Sequence, residues 1–218
     1  RLLVPSASLR RSLPRALDLG FHMPRKKSIK HATTEFNAEV DKILAFLSTV
    51  KANQSEEHIT WLHNYAVIRL YKEFEGLMLD VLVAAVNNDT STLEATTDVK
   101  FPKHLTDEVC EFLITGTGYF DFKGRSGLIK TLKSFVPDAH YLVATVKKPT
   151  YTVALDQLST LRNFAAHESQ VSKRAALEAI GATKLAASGA WLKKQSRFDT
   201  MAQKLKALSS ELHGLAPY

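Results

Sequence analysis

From Ser55 to about Val86 the chain carries Trp61, Leu62, Tyr65, Ile68, Phe74, Met78 and Leu82 at spacings that suit one face of a helix. Asn53 or Ser55 can open that helix, and Glu56 and Glu57 fall in its first turn, where exposed N–H groups and the peptide dipoles favour acids. Asn87-Asn88-Asp89-Thr90 closes it, and a polar loop to about Lys100 is expected next. A helix of that length must bury its apolar face along other elements, so it dictates what the rest of the chain has to supply.

The rest supplies helices. Thr33 or Thr34 can cap a first one with Phe36, Val40, Ile43, Leu44 and Leu47 on one face. Thr106 starts a short helix through Val109, Phe112 and Leu113, broken by Gly116-Thr117-Gly118. Tyr119-Phe120-Asp121-Phe122 reads as an aromatic linker, Ser126 as the cap of a helix over 128–136, and Pro137 as its stop. After Pro149, Thr150 or Thr152 caps a helix bearing Leu155, Leu158, Leu161 and Ala165, and Ser172 begins a shorter one ending at Gly181. Trp191, Phe198, Met201, Leu205, Leu208 and Leu212 form a nearly heptad seam on one last helix that closes at Gly214. No strand alternation persists, so an all-α bundle is expected, in one domain over 33–218.

Composition narrows the function classes. Apolar residues at 45% and charged residues at 23% fit a globular protein. No apolar run approaches the roughly 20 residues that cross a bilayer, so no membrane association is expected. Leu77 to Val86 is interrupted by Asp80 and reads as a buried helix face. The single cysteine, Cys110, rules out an intrachain disulfide and a multi-cysteine zinc site, and it points to a reducing, cytoplasmic compartment.

The net charge of +7 is carried by residues 1–30, where Asp18 alone opposes eight basic residues; residues 31–218 sum to zero. A uniformly basic nucleic-acid surface is therefore not implied. Residues 1–22 end in His22-Met23, which reads as a vector-derived or flexible segment joined to a native start at Met23; an organelle transit peptide is the rival reading. Residues 23–32 are expected to form a flexible basic arm.

Arg162-Asn163-Phe164-Ala165-Ala166-His167 concentrates chemistry on one expected helix. Arg can meet two phosphate oxygens at once, His titrates near neutral pH, and Asn can orient either by hydrogen bonding. Asn163 and His167 are i, i+4 and lie about 40° apart on a helix. Arg162 and His167 are i, i+5 and about 140° apart. They converge if the Arg stem reaches round, if the helix distorts near its end, or if a second chain supplies one partner, which is the favoured case. The plainer alternative is a helix C-terminus where Arg and His stabilise free carbonyls. No Asp/Glu/His set has metal-ligand spacing, since Glu73 and Glu75 at i, i+2 face apart; no cofactor or metal is expected.

On that scaffold, the segment 161–169 with its Arg-Asn-x-x-x-His motif, preceded by Gly118-Tyr119-Phe120-Asp121-Phe122, resembles the HEPN superfamily (higher eukaryotes and prokaryotes nucleotide-binding domains). It is most similar to the bacterial RiboL-PSP-type HEPN group. The resemblance spans roughly residues 35–215, but only the motif is diagnostic. It implies a bundle with a long second helix and the motif on a late helix. It also implies a metal-independent endoribonuclease acting as a homodimer, often a toxin or anti-phage effector with a cognate antitoxin or defence-system partner. In that reading Arg162 binds the phosphate, His167 is the general acid/base and Asn163 fixes the geometry. The tyrosine that follows the motif His by two residues in antitoxin-regulated relatives is Ser169 here, so regulation by its modification is not implied.

RNA contacts are expected from Lys123 and Arg125, from Tyr119 stacking on a base, and from Glu75 lining the cleft. Solvated helix faces for the basic residues and core packing for the aromatics are the competing readings. Arg69 is read as an i, i+4 partner of Glu73. A catalytically silent HEPN module binding RNA, nucleotide or protein is the alternative function, and a helical adaptor using the last-helix seam is the third.

Overall fold

The computed structural model describes residues 26–102 and 105–217, so residues 1–25, which hold the N-terminal segment and the start of the arm, lie outside it. The described residues form ten α-helices and one short 3-10 turn, with no strand. In chain order they are α1 (Ile29–Val50), α2 (Glu56–Asn88), α3 (Ser91–Thr97), α4 (Asp107–Thr115), α5 (Gly124–Lys133), α6 (Tyr141–Lys147), α7 (Pro149–His167), α8 (Gln170–Ile180), α9 (Ser188–Leu192) and α10 (Arg197–Leu215).

The long helix is present and central. Ser55 caps α2 by accepting from the His58 N–H, and Glu56 and Glu57 sit in its first turn. Its neighbours are α1, α4, α7 and α9. Towards its end every residue from Val81 to Asn87 is buried, so α2 runs out of solvent-facing side and passes through the middle of the bundle. Phe36 of α1 meets Phe74 of α2 edge to face, with centroids 5.9 Å apart. Cys110 is fully buried, and burial pushes its thiol up to about 11, the behaviour of a core residue.

Several boundaries differ from expectation. The first helix starts at Ile29, capped by Ser28, not at Thr33 or Thr34. Residues 29–32 are thus helix and not part of a flexible arm, and Lys27 is pinned by Asp80 at 2.5 Å and Glu111 at 3.0 Å. The expected polar loop after α2 contains α3, whose Leu93 is buried. The helix expected from Ser126 begins at Gly124, because Asp156 and Ser159 of α7 accept from the Arg125 and Gly124 N–H groups and cap it from outside. Between Pro137 and Pro149 stands α6, too short to show a period in sequence.

The single last helix is two. Gln195 and Ser196 take left-handed backbone conformations, which breaks the chain between α9 and α10. Of the six seam residues, Phe198, Met201, Leu205, Leu208 and Leu212 are buried on α10, which packs on α1, α6 and α7, while Trp191 falls on α9 and is half-buried. That leaves no apolar seam for a partner helix, and the adaptor reading loses its basis.

α9 is a wedge that fixes the motif helix. The buried Ser188 hydroxyl donates to the Leu161 carbonyl of α7 at 2.7 Å, and the Gly189 N–H donates to Asn64 Oδ1 of α2 at 2.6 Å. A Cβ on Gly189 would stand 1.9 Å from the Thr60 carbonyl oxygen, so only glycine lets α9 sit this close to α2.

Candidate functional site

Pro149 occupies the first turn of α7, where no N–H is needed, and the helix continues regularly to His167, with Glu168 left-handed behind it. The motif therefore ends its helix as expected, and no helical distortion occurs between Arg162 and His167. Tyr151, Leu155, Leu158, Leu161 and Phe164 form the buried side. Arg162 sits at one edge of that side and is partly buried, while His167 lies on the exposed side.

Arg162 has a defined seat. Its guanidinium carbon lies 4.5 Å from the Tyr71 ring centroid, and Nη1 donates to Asn163 Oδ1 at 2.8 Å. Tyr71 is itself fixed, since its hydroxyl donates towards Asp121 Oδ1 at 3.0 Å and the Phe122 carbonyl at 3.1 Å. Its ring stacks with Phe122 at 5.2 Å. The aromatic linker thus serves as a buttress: Phe120 and Phe122 are buried, and Phe122 carries the ring on which the arginine rests. Asn163, the next residue along α7, is the arginine's side-chain hydrogen-bond partner.

Among the described residues no carboxylate lies within salt-bridge distance of Arg162, although it is half withdrawn from water. Eight of the 22 other lysines and arginines among the described residues pair with carboxylates. Arg69 pairs with Glu73 at 2.8 Å, as its i, i+4 spacing predicts. Lys133 and Lys147 share Asp138, Lys148 pairs with Glu211, Lys193 with Glu56 and Lys206 with Asp41. These five lysines are therefore compensated locally by carboxylates. Withdrawing a cation from water without a paired anion is unfavourable, and a bound anion would relieve that.

Glu75 comes to the same place. One turn along α2 from Tyr71, it is half-buried, and burial pushes its carboxyl above the usual carboxylate range. Arg162 and the Tyr71 hydroxyl pull it back down, while Asp121 adds to the rise. Burial likewise raises the Tyr71 phenol well above its ordinary value, helped by the charges of Glu75 and Asp121.

The other candidates separate. Arg125 donates from Nε to the Val146 carbonyl at 3.0 Å and from Nη2 to the Lys147 carbonyl, so its guanidinium closes the C-terminus of α6 and is not turned to the motif. Lys123 is exposed at the rim of a cleft of about 520 Å³ that Asp121, Asp156, Thr160, Asn163 and Glu178 also line. Tyr119 is 97% exposed, on the surface while its two aromatic neighbours are buried. His167 is exposed, and no hydrogen bond to its ring occurs among the described residues. His63 is buried with Nδ1 2.7 Å from the Ile59 carbonyl, and His140 caps α6, so both have structural employment.

Tyr71 and Asp121 were not legible as site residues. The available signal was the i, i+4 pairing of Tyr71 with Glu75, which places both on one face of α2. Among the described residues no group of three or more His, Cys, Asp or Glu side chains is gathered as a metal could be held. No helix among them is long and apolar enough to cross a membrane. Compared with protein-family models, curated proteins and solved structures, the chain matches none.

Proposed function

We propose that this chain is a metal-independent endoribonuclease of HEPN type that works as a homodimer on cytoplasmic RNA, as a toxin or anti-phage effector. The observation that carries the reading is Arg162: partly buried, held by Tyr71 and Asn163, and free of any salt-bridging carboxylate among the described residues. Its remaining N–H groups suit the non-bridging oxygens of a phosphodiester.

In the proposed reaction the ribose 2′-OH attacks the adjacent phosphorus, giving a 2′,3′-cyclic phosphate and a 5′-OH. Arg162 neutralises the charge that grows on the phosphoryl oxygens, an effect worth about 3–4 kcal/mol per well-placed donor in comparable sites. His167 is accessible and able to take the 2′-OH proton, a role worth roughly 10²–10⁴ in rate.

A second copy is needed to bring the two together. Because α7 is regular to its end, Arg162 and His167 stay about 140° apart on one helix. A two-fold contact of motif helices would place His167 of one chain beside Arg162 of the other. Next to the motif, the exposed aromatics Trp61 and Tyr65 line a surface cleft with Ile68, Ala165 and Glu168. Exposed rings of that size beside the motif suit a protein contact.

Incubation with total RNA in EDTA tests the reading. Fragments with cyclic-phosphate ends are expected, and they should vanish in Arg162→Ala and His167→Ala. Intact RNA with retained binding would instead favour the catalytically silent HEPN module, a reading supported by the absence of any partner fixing the His167 tautomer among the described residues. Intact RNA without binding would remove both.

A further inference from the structure

We propose that the cleft beside Asn163 is a nucleobase subsite that selects guanine, with Glu178 as its specificity-determining residue. This rests on the ribonuclease reading above and names the base that flanks the phosphate held by Arg162.

The cleft is continuous with the arginine's seat. It encloses about 520 Å³ between the aromatic linker, α7 and α8, within the roughly 300–1,000 Å³ of small-molecule sites. Two of its lining residues also belong to the seat. Asn163 Oδ1 accepts from Arg162 at 2.8 Å, and Asp121 Oδ1 accepts at 3.0 Å from the Tyr71 hydroxyl, whose ring carries the guanidinium. A nucleotide whose phosphate meets Arg162 therefore has this cleft within reach of its base. The walls are tied together before any ligand arrives. Gln157 Nε2 of α7 donates to the Ala179 carbonyl of α8 at 3.3 Å, and the Gly124 and Arg125 N–H groups donate to Ser159 and Asp156 of α7.

Charge decides which part of the nucleotide enters. Asp121, Asp156 and Glu178 line the cleft, with Lys123 as the opposing charge, so a phosphate is repelled from it and drawn to Arg162. An uncharged base that brings N–H donors is not repelled.

Hydrogen-bonding capacity then decides which base. Asp121 Oδ1 and Asp156 Oδ1 are already engaged, by the Tyr71 hydroxyl and the Arg125 N–H. Among the described residues neither oxygen of the exposed Glu178 has a partner, and neither has Asn163 Nδ2, because Oδ1 is the atom that takes Arg162. The cleft thus offers one amide donor and a two-oxygen acceptor. Guanine presents the matching edge: O6 accepts, and N1–H and the N2 amine donate side by side. Adenine would set its N6 amine against the amide donor and its N1 lone pair against the carboxylate. Cytosine would set N3 and O2 against the carboxylate, and uracil its O2.

Uridine hexamers with one central guanosine, inosine, adenosine or cytidine test the subsite. Each is made in a cleavable form and in an uncleavable form with 2′-fluorine in place of the hydroxyl. The parent protein should cleave beside guanosine, and bind its uncleavable form, about 10-fold or more better than the adenosine and cytidine hexamers. Inosine keeps O6 and N1–H but lacks the N2 amine, so it should fall about 10-fold below guanosine, a readout that needs no variant. Glu178→Gln exchanges one acceptor for a donor at an exposed position. It should abolish the guanosine preference and leave the adenosine and cytidine hexamers as in the parent. Equal treatment of all four hexamers by the parent would overturn the proposal. So would equal treatment of guanosine and inosine, or a uniform loss on every hexamer in Glu178→Gln. Guanosine-selective binding without cleavage would support the subsite and remove the ribonuclease reading, whereas cleavage without base preference would do the reverse. A parent that neither binds nor cleaves any hexamer would remove both.

Discussion

Arg162 rests on Tyr71: the guanidinium carbon lies 4.5 Å from the ring centroid, and the ring is held in turn by the Phe122 carbonyl and Asp121. A long side chain on the last turns of α7 is thereby given one preferred position by a residue more than eighty positions earlier. Ordering a flexible cation in advance removes part of the entropy that binding an anion would otherwise cost.

Tyr71→Phe isolates the anchor from the ring. The stack under Arg162 survives, while the hydroxyl's bonds to Asp121 and Phe122 are lost. Stability should fall by about 1–2 kcal/mol, read as a lower midpoint in thermal unfolding, and RNA affinity should fall less than in Arg162→Ala. An affinity loss equal to that of Arg162→Ala would mean the hydroxyl, and not the ring, sets the arginine's position.

Arg162→Lys keeps the charge and removes the fork. The ammonium cannot reach the Asn163 amide and two phosphate oxygens together. Cleavage should drop by about 10²–10³ with little change in the melting midpoint. Near-parental cleavage by the lysine variant would show that charge alone suffices.

Gly189→Ala tests the wedge that holds α7. Because the new methyl would meet the Thr60 carbonyl at 1.9 Å, α9 must back away from α2 and loosen the Ser188 bond to Leu161. A destabilisation of about 1–3 kcal/mol is expected, a fall of roughly 2–4 °C in melting midpoint per kcal/mol. An unchanged midpoint would show that α9 does not pack as described.

How much of this was readable in sequence follows the physics of each signal. α2 was legible because its cap, its acidic first turn and its apolar spacing all agree, and Ser55 does accept from His58. α6 was not, because seven residues cannot display a helical period, and its stability comes from Arg125 closing its carbonyl end and from burial of Leu142, Val143 and Val146. The break at Gln195 and Ser196 was hidden because the apolar spacing runs straight through a turn that two left-handed residues create. Within the site, Arg162, Asn163 and His167 were found as a linear motif. Tyr71 and Asp121 were out of reach, since only folding brings α2 and the aromatic linker to the motif helix.

His63 gives the fold a pH signature. It is buried, and burial lowers its pKa below the ordinary value of about 6.5. The unfolded chain therefore binds a proton at pH values where the folded chain does not, so stability is full above about 6.5 and declines as pH falls towards the lowered folded value. Denaturant midpoints across that window should fall with acid, and His63→Leu should flatten the slope. A slope unaffected by His63→Leu would assign the effect elsewhere, with His140, also lowered by burial, the next group to test.

In the proposed dimer one chain holds half a site, with Arg162 and His167 meeting across two chains. Arg162→Ala and His167→Ala proteins, each inactive alone, should be mixed, exchanged and assayed on RNA in EDTA. Random pairing should restore about a quarter of parental cleavage, because half the dimers are mixed and each carries one intact composite site. No recovery from exchanged subunits, with the parent protein active, would show that Arg162 and His167 act within a single chain and would contradict the claim.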